Sequence, residues 1–151
     1  MKALVLVACL TLAILAQQLF SHTQDITLTP ANVIRVYDGD TITVDLPGQL
    51  DVFGENIGVR LLGIDTPELV SKCPTQLERD VEKAKALIVK QFLINSIQAG
   101  KTITLSELDR DKYFRLLSRV LIDDVDIGQV MITKGLADPY DGGTKLGWCG
   151  R

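Results

Sequence analysis

The sequence predicts an α+β fold: a small barrel or sheet of five strands with two or three α-helices. Three observations carry this. Short segments rich in β-branched residues recur between residues 33 and 122. One long segment, between the third and fourth of them, has the three- and four-residue apolar period of a helix instead. Gly-, Pro- and Asp-containing breaks separate the segments. The 151 residues suit one domain with a core of its own. A hydrophobic share of 46% with 23% charged residues is ordinary for a globular chain.

In chain order, Lys2 and the apolar run Ala3 to Ala16 have the form of a secretory signal peptide. The expected leader is 1–16, with its cleavage point as far on as about residue 24, and the folded domain is 26–151. The run is short for a membrane span, which needs about 20 residues. An uncleaved anchor reaching Phe20 is the alternative, and only then would the chain meet a membrane. Leu6-Val7-Ala8-Cys9 resembles a lipoprotein box, but too little apolar sequence precedes it.

Past a polar stretch ending at Pro30, Asn32 to Tyr37 reads as a strand. Asp38-Gly39 is a hairpin turn signal, and Thr41 to Leu46 is the returning strand. Pro47 to Asn56 is a loop. Ile57 to Ile64 is a third strand, stopped by Asp65-Thr66-Pro67-Glu68 because proline donates no ladder bond. Leu77, Val81, Ala84, Ile88 and Phe92 mark the expected buried face of a helix, with Glu78, Glu82, Lys83 and Lys90 off it and Gly100 at its end. Lys101 to Leu105 is a fourth strand, Glu107 to Arg115 a charged loop, and Leu116 to Ile122 a fifth strand. Asp126 caps a short helix closing near Gly135. The tail from Asp138 has no period. Five strands with a helix between the third and fourth is the order of an OB-type barrel, one of several α+β arrangements this pattern allows.

Composition excludes much chemistry. His22 is the only histidine, and it follows the leader, so His-based triads and His-rich zinc sites have no material. Three cysteines are present. Removal of the leader takes Cys9 and leaves Cys73 and Cys149, an even pair that predicts a disulfide in an exported chain, with two free thiols as the alternative. The net charge of −3 gives no broad basic coat, so any phosphate-binding surface is local.

Three charged clusters stand at strand ends: Asp38-Gly39-Asp40-Thr41, Arg60 with Asp65 to Glu68, and Asp111-Lys112-Tyr113-Phe114-Arg115. Singly, each reads as a turn, a solvated face or a loop. Together they supply a hydrolytic set. Asp40 and Asp65 can face one hard cation such as Ca²⁺, Glu68 can activate a water, and Arg60 and Arg115 can hold a phosphate by paired hydrogen bonds. An EF-hand loop fails from either Asp38 or Asp109, so a calcium site would be assembled from separate strands.

VIRVYDGDTITV (33–44), VRLLGIDTPE (59–68), DKYFRLLSRV (111–120) and, more weakly, GLADPY (135–140) resemble the thermonuclease family, the staphylococcal nuclease-like proteins, over Asn32 to Tyr140. The resemblance implies a five-stranded OB-fold β-barrel and Ca²⁺-dependent cleavage of DNA and RNA to 3′-phosphate ends. It implies Asp40 and Asp65 as calcium carboxylates, with the Thr66 carbonyl as a further ligand. Glu68 is then the general base or water-ordering residue, and Arg60 and Arg115 bind the scissile phosphate. Lys112 and Tyr113 contact the terminal phosphate and nucleotide, and Tyr140 packs against the base.

Three features depart from that family. Phe114 stands where the motif has Gly, and would be strained at a positive φ, a strain that would shift Arg115. The chain ends soon after Tyr140, without the prototype's C-terminal helix. Its charge is acidic. The expectation is a secreted or periplasmic calcium-dependent nuclease, with nothing suggesting more than a monomer. A non-catalytic OB-fold module binding nucleic acid or protein is the alternative, and a small disulfide-fastened interaction protein is a third.

Overall fold

The computed structural model describes residues 25–151. The expected leader, 1–16 or as far as 24, lies outside the described residues, as do Cys9 and His22. Strands β1 (Ile26–Leu28), β2 (Val33–Val36), β3 (Thr41–Val44) and β4 (Ile57–Leu61) come first, with a one-turn 3₁₀ segment at Pro30–Asn32 and a short helix α1 (Asp51–Gly54) among them. Then follow β5 (Ile64–Asp65), the long helix α2 (Gln76–Ala99), β6 (Ile103–Arg110), β7 (Leu116–Ile122), β8 (Val125–Asp126), α3 (Ile127–Thr133) and β9 (Asp138–Pro139).

The architecture is α+β, as expected, but the strand count is not five. A mixed sheet of seven strands runs β1-β6-β7-β4-β3-β2, with β8 on β7, and β5 pairs β9 in a second, two-stranded sheet. The expected fourth strand continues into the supposed charged loop as far as Arg110, crossing a register shift between Ser106 and Asp109. β1, β5 and β9 are two or three residues long and too short to show a period.

Local chemistry explains the elements the sequence did reveal. In the β2–β3 turn, Asp38 Oδ1 accepts the Asp40 amide at 3.1 Å and Tyr37 N–H donates to the Thr41 carbonyl at 2.9 Å. A Cβ on Gly39 would stand 2.6 Å from a Val89 methyl, so only glycine lets α2 pack on this turn. Helix α2 starts in a capping box: Thr75 Oγ1 accepts Glu78 N–H while the Glu78 carboxylate accepts the Thr75 amide. Asp126 caps α3 through Gln129 N–H at 3.1 Å, and Gly135, at φ +68°, ends that segment.

The buried face of α2 is not the expected one. Glu82, Ala86, Val89, Leu93 and Ile97 are buried, while Leu77 and Ile88 are 75% and 62% exposed and Phe92 is half-buried. Both stripes have helical spacing, and Glu82 in line with the true one disguised it. Val89, Leu93 and Ile97 pack with Ile42, Val59, Ile103 and Leu105 of the sheet and Met131 of α3 in one core. Each such side chain stabilises the fold by about 1.5–3 kcal/mol. No helix among the described residues is long and apolar enough to cross a membrane.

The pairings that matter for the site are three. Thr41 lies opposite Arg60 across β3–β4, β4 runs parallel to β7 with Val59 beside Leu116, and Asp65 of β5 faces Asp138 of β9.

Candidate active site

These pairings converge on a cleft of about 800 Å³. It is lined by Asp40, Arg60, Asp65, Glu68, Lys112, Tyr113, Arg115 and Tyr140, all of them expected site residues. Asp40 leaves the hairpin turn just before β3 and is buried. Its Oδ2 accepts the Thr66 amide at 3.1 Å and the Thr66 hydroxyl at 2.9 Å, while Thr41 Oγ1 donates to Oδ1 at 3.1 Å. Arg60 forms an ion pair with Asp40 Oδ1 and donates to the Ile64 carbonyl at 2.9 Å. Burial pushes the Asp40 carboxyl up to about 6, against the charge of Arg60 and the hydrogen bonds of the two threonines.

Asp65 sits deeper, 3% exposed. Trp148 Nε1–H donates to its Oδ2 at 3.2 Å. Its Oδ1 is fully buried and accepts no aligned hydrogen bond, although Arg60 Nη2 lies 3.7 Å away and Lys145 Nζ 2.7 Å away. The Lys145 ammonium offsets the cost of burying this oxygen. The donors here are carboxylates and the Thr66 peptide, all oxygen, which fits a hard divalent ion. Asp40, Asp65 and Thr66 are the residues that would hold it.

Glu68, exposed at the rim, accepts Lys145 Nζ at 2.8 Å. Its amide donates to Oε1 of the buried Glu82 at 3.1 Å, and the Ser71 hydroxyl donates to Oε2 of the same carboxylate. The segment carrying Glu68 is therefore held from α2. Glu82 was expected on the solvent side of that helix, and it is the packing stripe one residue along that reveals it.

Arg115 reaches the cleft across glycine. Its stem lies where a Cβ on Gly58 would be 3.5 Å from Cγ, and Nη1 is 3.4 Å from Thr41 Oγ1. Asp111 grips it: Arg115 Nε donates to Oδ2 at 2.7 Å and Arg115 N–H to Oδ1 at 3.0 Å. Burial alone would raise the Asp111 carboxyl, but the Arg115 side chain and the backbone amides of Arg115 and Tyr113 hold it below the usual range.

Phe114 does adopt a positive φ, +66°, so the strain anticipated from the sequence is present. Arg115, next in the chain, lines the cleft and is held by Asp111. The Phe114 ring points outward under Arg110, whose guanidinium is 4.7 Å from its centroid. Left-handed backbone costs a non-glycine residue about 1–2 kcal/mol, more than an exposed cation–π contact returns, about 0.5–1 kcal/mol. Phe114→Gly should therefore raise the thermal midpoint by a few degrees, read by circular dichroism, and leave turnover within about twofold. A lower midpoint would show that the ring stabilises the turn.

Lys112 and Tyr113 are exposed on the same turn, with the ammonium 5.2 Å from the Tyr113 ring. Tyr140 N–H donates to Gly63 carbonyl at 2.9 Å, and its hydroxyl to Gly143 carbonyl at 3.2 Å. Cys73 and Cys149 are joined in the expected disulfide. The tail it fastens brings in Lys145 and Trp148, which sequence reasoning missed because the segment has no period. Burial works against the Lys145 ammonium, but Asp65 and Glu68 outweigh it and hold its pKa above the ordinary lysine range.

Residues 58–145, more than half of the chain, match the family model described as staphylococcal nuclease homologue. The chain is 37% identical over 105 residues to a thermonuclease of Staphylococcus intermedius, covering 70% of this chain and 56% of that protein. It is 33% identical over 110 residues to an uncharacterized endonuclease of Escherichia coli O157:H7, covering 72% and 60%. It is 35% identical over 114 residues to the SPbeta prophage-derived endonuclease YokF of Bacillus subtilis, covering 73% and 34%. The chain thus spans between about a third and three fifths of the length of these relatives. With the matched segment containing Arg60, Asp65, Glu68 and Arg115, the chain belongs to the staphylococcal nuclease homologue family.

Proposed function

We propose that the chain is an exported, calcium-dependent nuclease that hydrolyses phosphodiester bonds of DNA and RNA and leaves 3′-phosphate ends. The observation that carries this is the meeting, in one cleft, of two buried carboxylates, an accessible glutamate and two anchored arginines. The names of the relatives, endonuclease and thermonuclease, support the reaction class. The curled mixed sheet is consistent with the OB-type barrel of the resemblance.

In this reading Arg60 and Arg115 bind the non-bridging phosphate oxygens and stabilise the charge that grows on them. Both are held by carboxylates, Asp40 and Asp111, so their direction is set before substrate arrives. Asp40, Asp65 and Thr66 would hold Ca²⁺, which would supply further charge stabilisation at the phosphate. Glu68 takes the proton of a water that attacks phosphorus. The P–O5′ bond breaks, the 5′-oxygen leaves with a proton from solvent, and phosphate stays on the 3′ side. Lys112 and Tyr113, exposed beside Arg115, suit a terminal phosphate and nucleotide, and Tyr140 suits a base. Export rests on the leader, and the protein acts as a monomer.

The purified, oxidised chain is expected to cleave single-stranded DNA at pH about 8–9 with calcium and to stop when a chelator removes it. Cleavage unaffected by the chelator would refute the metal assignment. Calcium-dependent binding of a nucleotide without cleavage would favour the non-catalytic module.

A further inference from the structure

The tail after β9 is pinned at several points. Cys149 is bonded to Cys73, Trp148 is buried and hydrogen-bonded to Asp65, and Arg151 pairs with Asp138 at 2.6 and 2.8 Å. Between these pins and the turn at Gly142–Gly143, Lys145 is carried to the mouth of the cleft. Its ammonium lies 2.7 Å from Asp65 Oδ1 and 2.8 Å from Glu68 Oε1. That is the position of a counter-ion between the two carboxylates. Three carboxylates, Asp40, Asp65 and Glu68, face two cationic side chains, Arg60 and Lys145. A divalent ion replacing the ammonium would balance that charge, whereas the two together would repel at close range.

We propose that Lys145 is a tethered competitor for the cation site: its ammonium, braced by Glu68, occupies Asp65 Oδ1, an oxygen of that site, until a divalent ion displaces it. The competitor sets how much free calcium the site requires. The disulfide keeps its effective concentration high, because a short, anchored tail returns the same ammonium to the same oxygens. Once displaced, the ammonium stays at the cleft mouth, where a substrate phosphate passes. This inference rests on the calcium reading above.

The test measures calcium binding by titration calorimetry on the oxidised full chain, without nucleic acid. Lys145→Met keeps the length and removes the charge. It is expected to bind calcium about tenfold more tightly than the wild type, a change equivalent to about 1.4 kcal/mol. Lys145→Arg keeps the charge and should restore the weaker affinity. Equal affinity in all three proteins would overturn the competition while leaving the calcium site standing. Absence of calcium binding in all three, with folded proteins by circular dichroism, would overturn the calcium reading and this one with it.

Discussion

Glu68→Gln is expected to lower the rate of DNA cleavage in saturating calcium by about 10²–10⁴-fold, the range removed with a general base. The fold should survive, because the Glu68 side chain is exposed and its one partner is Lys145. The amide of residue 68, which ties the segment to Glu82, is untouched by the change. Glutamine keeps the size and one carbonyl oxygen but cannot accept the proton. Single-turnover rates on a defined oligonucleotide, with a thermal melt of the same sample, separate chemistry from folding. Arg115→Ala should cost about 10²–10³-fold by removing donors from the growing phosphate charge. If either variant stayed within a factor of ten of wild type, the assigned role would be wrong.

Cys149→Ser is expected to cost about 4–5 kcal/mol, the chain-entropy value for a loop of this length. The joined residues are 76 apart in sequence. Cys149 is exposed, so serine leaves no cavity to confuse the result. Against a typical total of about 5–15 kcal/mol this is a large fraction, and for the 127 described residues it corresponds to a midpoint lowered by roughly 15 °C. Urea unfolding of variant and wild type provides the measurement. A loss below about 1 kcal/mol would mean that the Trp148 and Arg151 contacts hold the tail without the bond.

What the sequence made legible was what local chemistry determines. The Asp38-Gly39 turn, the Asp126 cap and the strands 41–44 and 116–122 depend on neighbours in the chain. β1, β5 and β9 depend on distant partners, and two or three residues hold no period to read. The α2 face was misjudged because Leu77, Val81 and Ile88 form as regular a stripe as Ala86, Val89 and Leu93, and tertiary packing alone chooses between them. In the site, Asp40, Arg60, Asp65, Glu68 and Arg115 were legible because motif spacing places them at strand ends. Glu82, Lys145 and Trp148 were not. One was hidden by its charge on a packing face, and the others arrive through a disulfide.

The parallel pairing of β4 with β7 ties chemistry to folding in time. Arg60 and Arg115 become neighbours only when residues near 59 meet residues near 116, and closing so long a loop is slow and entropically opposed. A chain that has formed only its first hairpin and α2 has one arginine, no grip on a phosphate and no fastened tail. On the proposed nuclease reading, cleavage is then a property of the finished molecule alone, and the rate of appearance of activity during refolding counts native molecules.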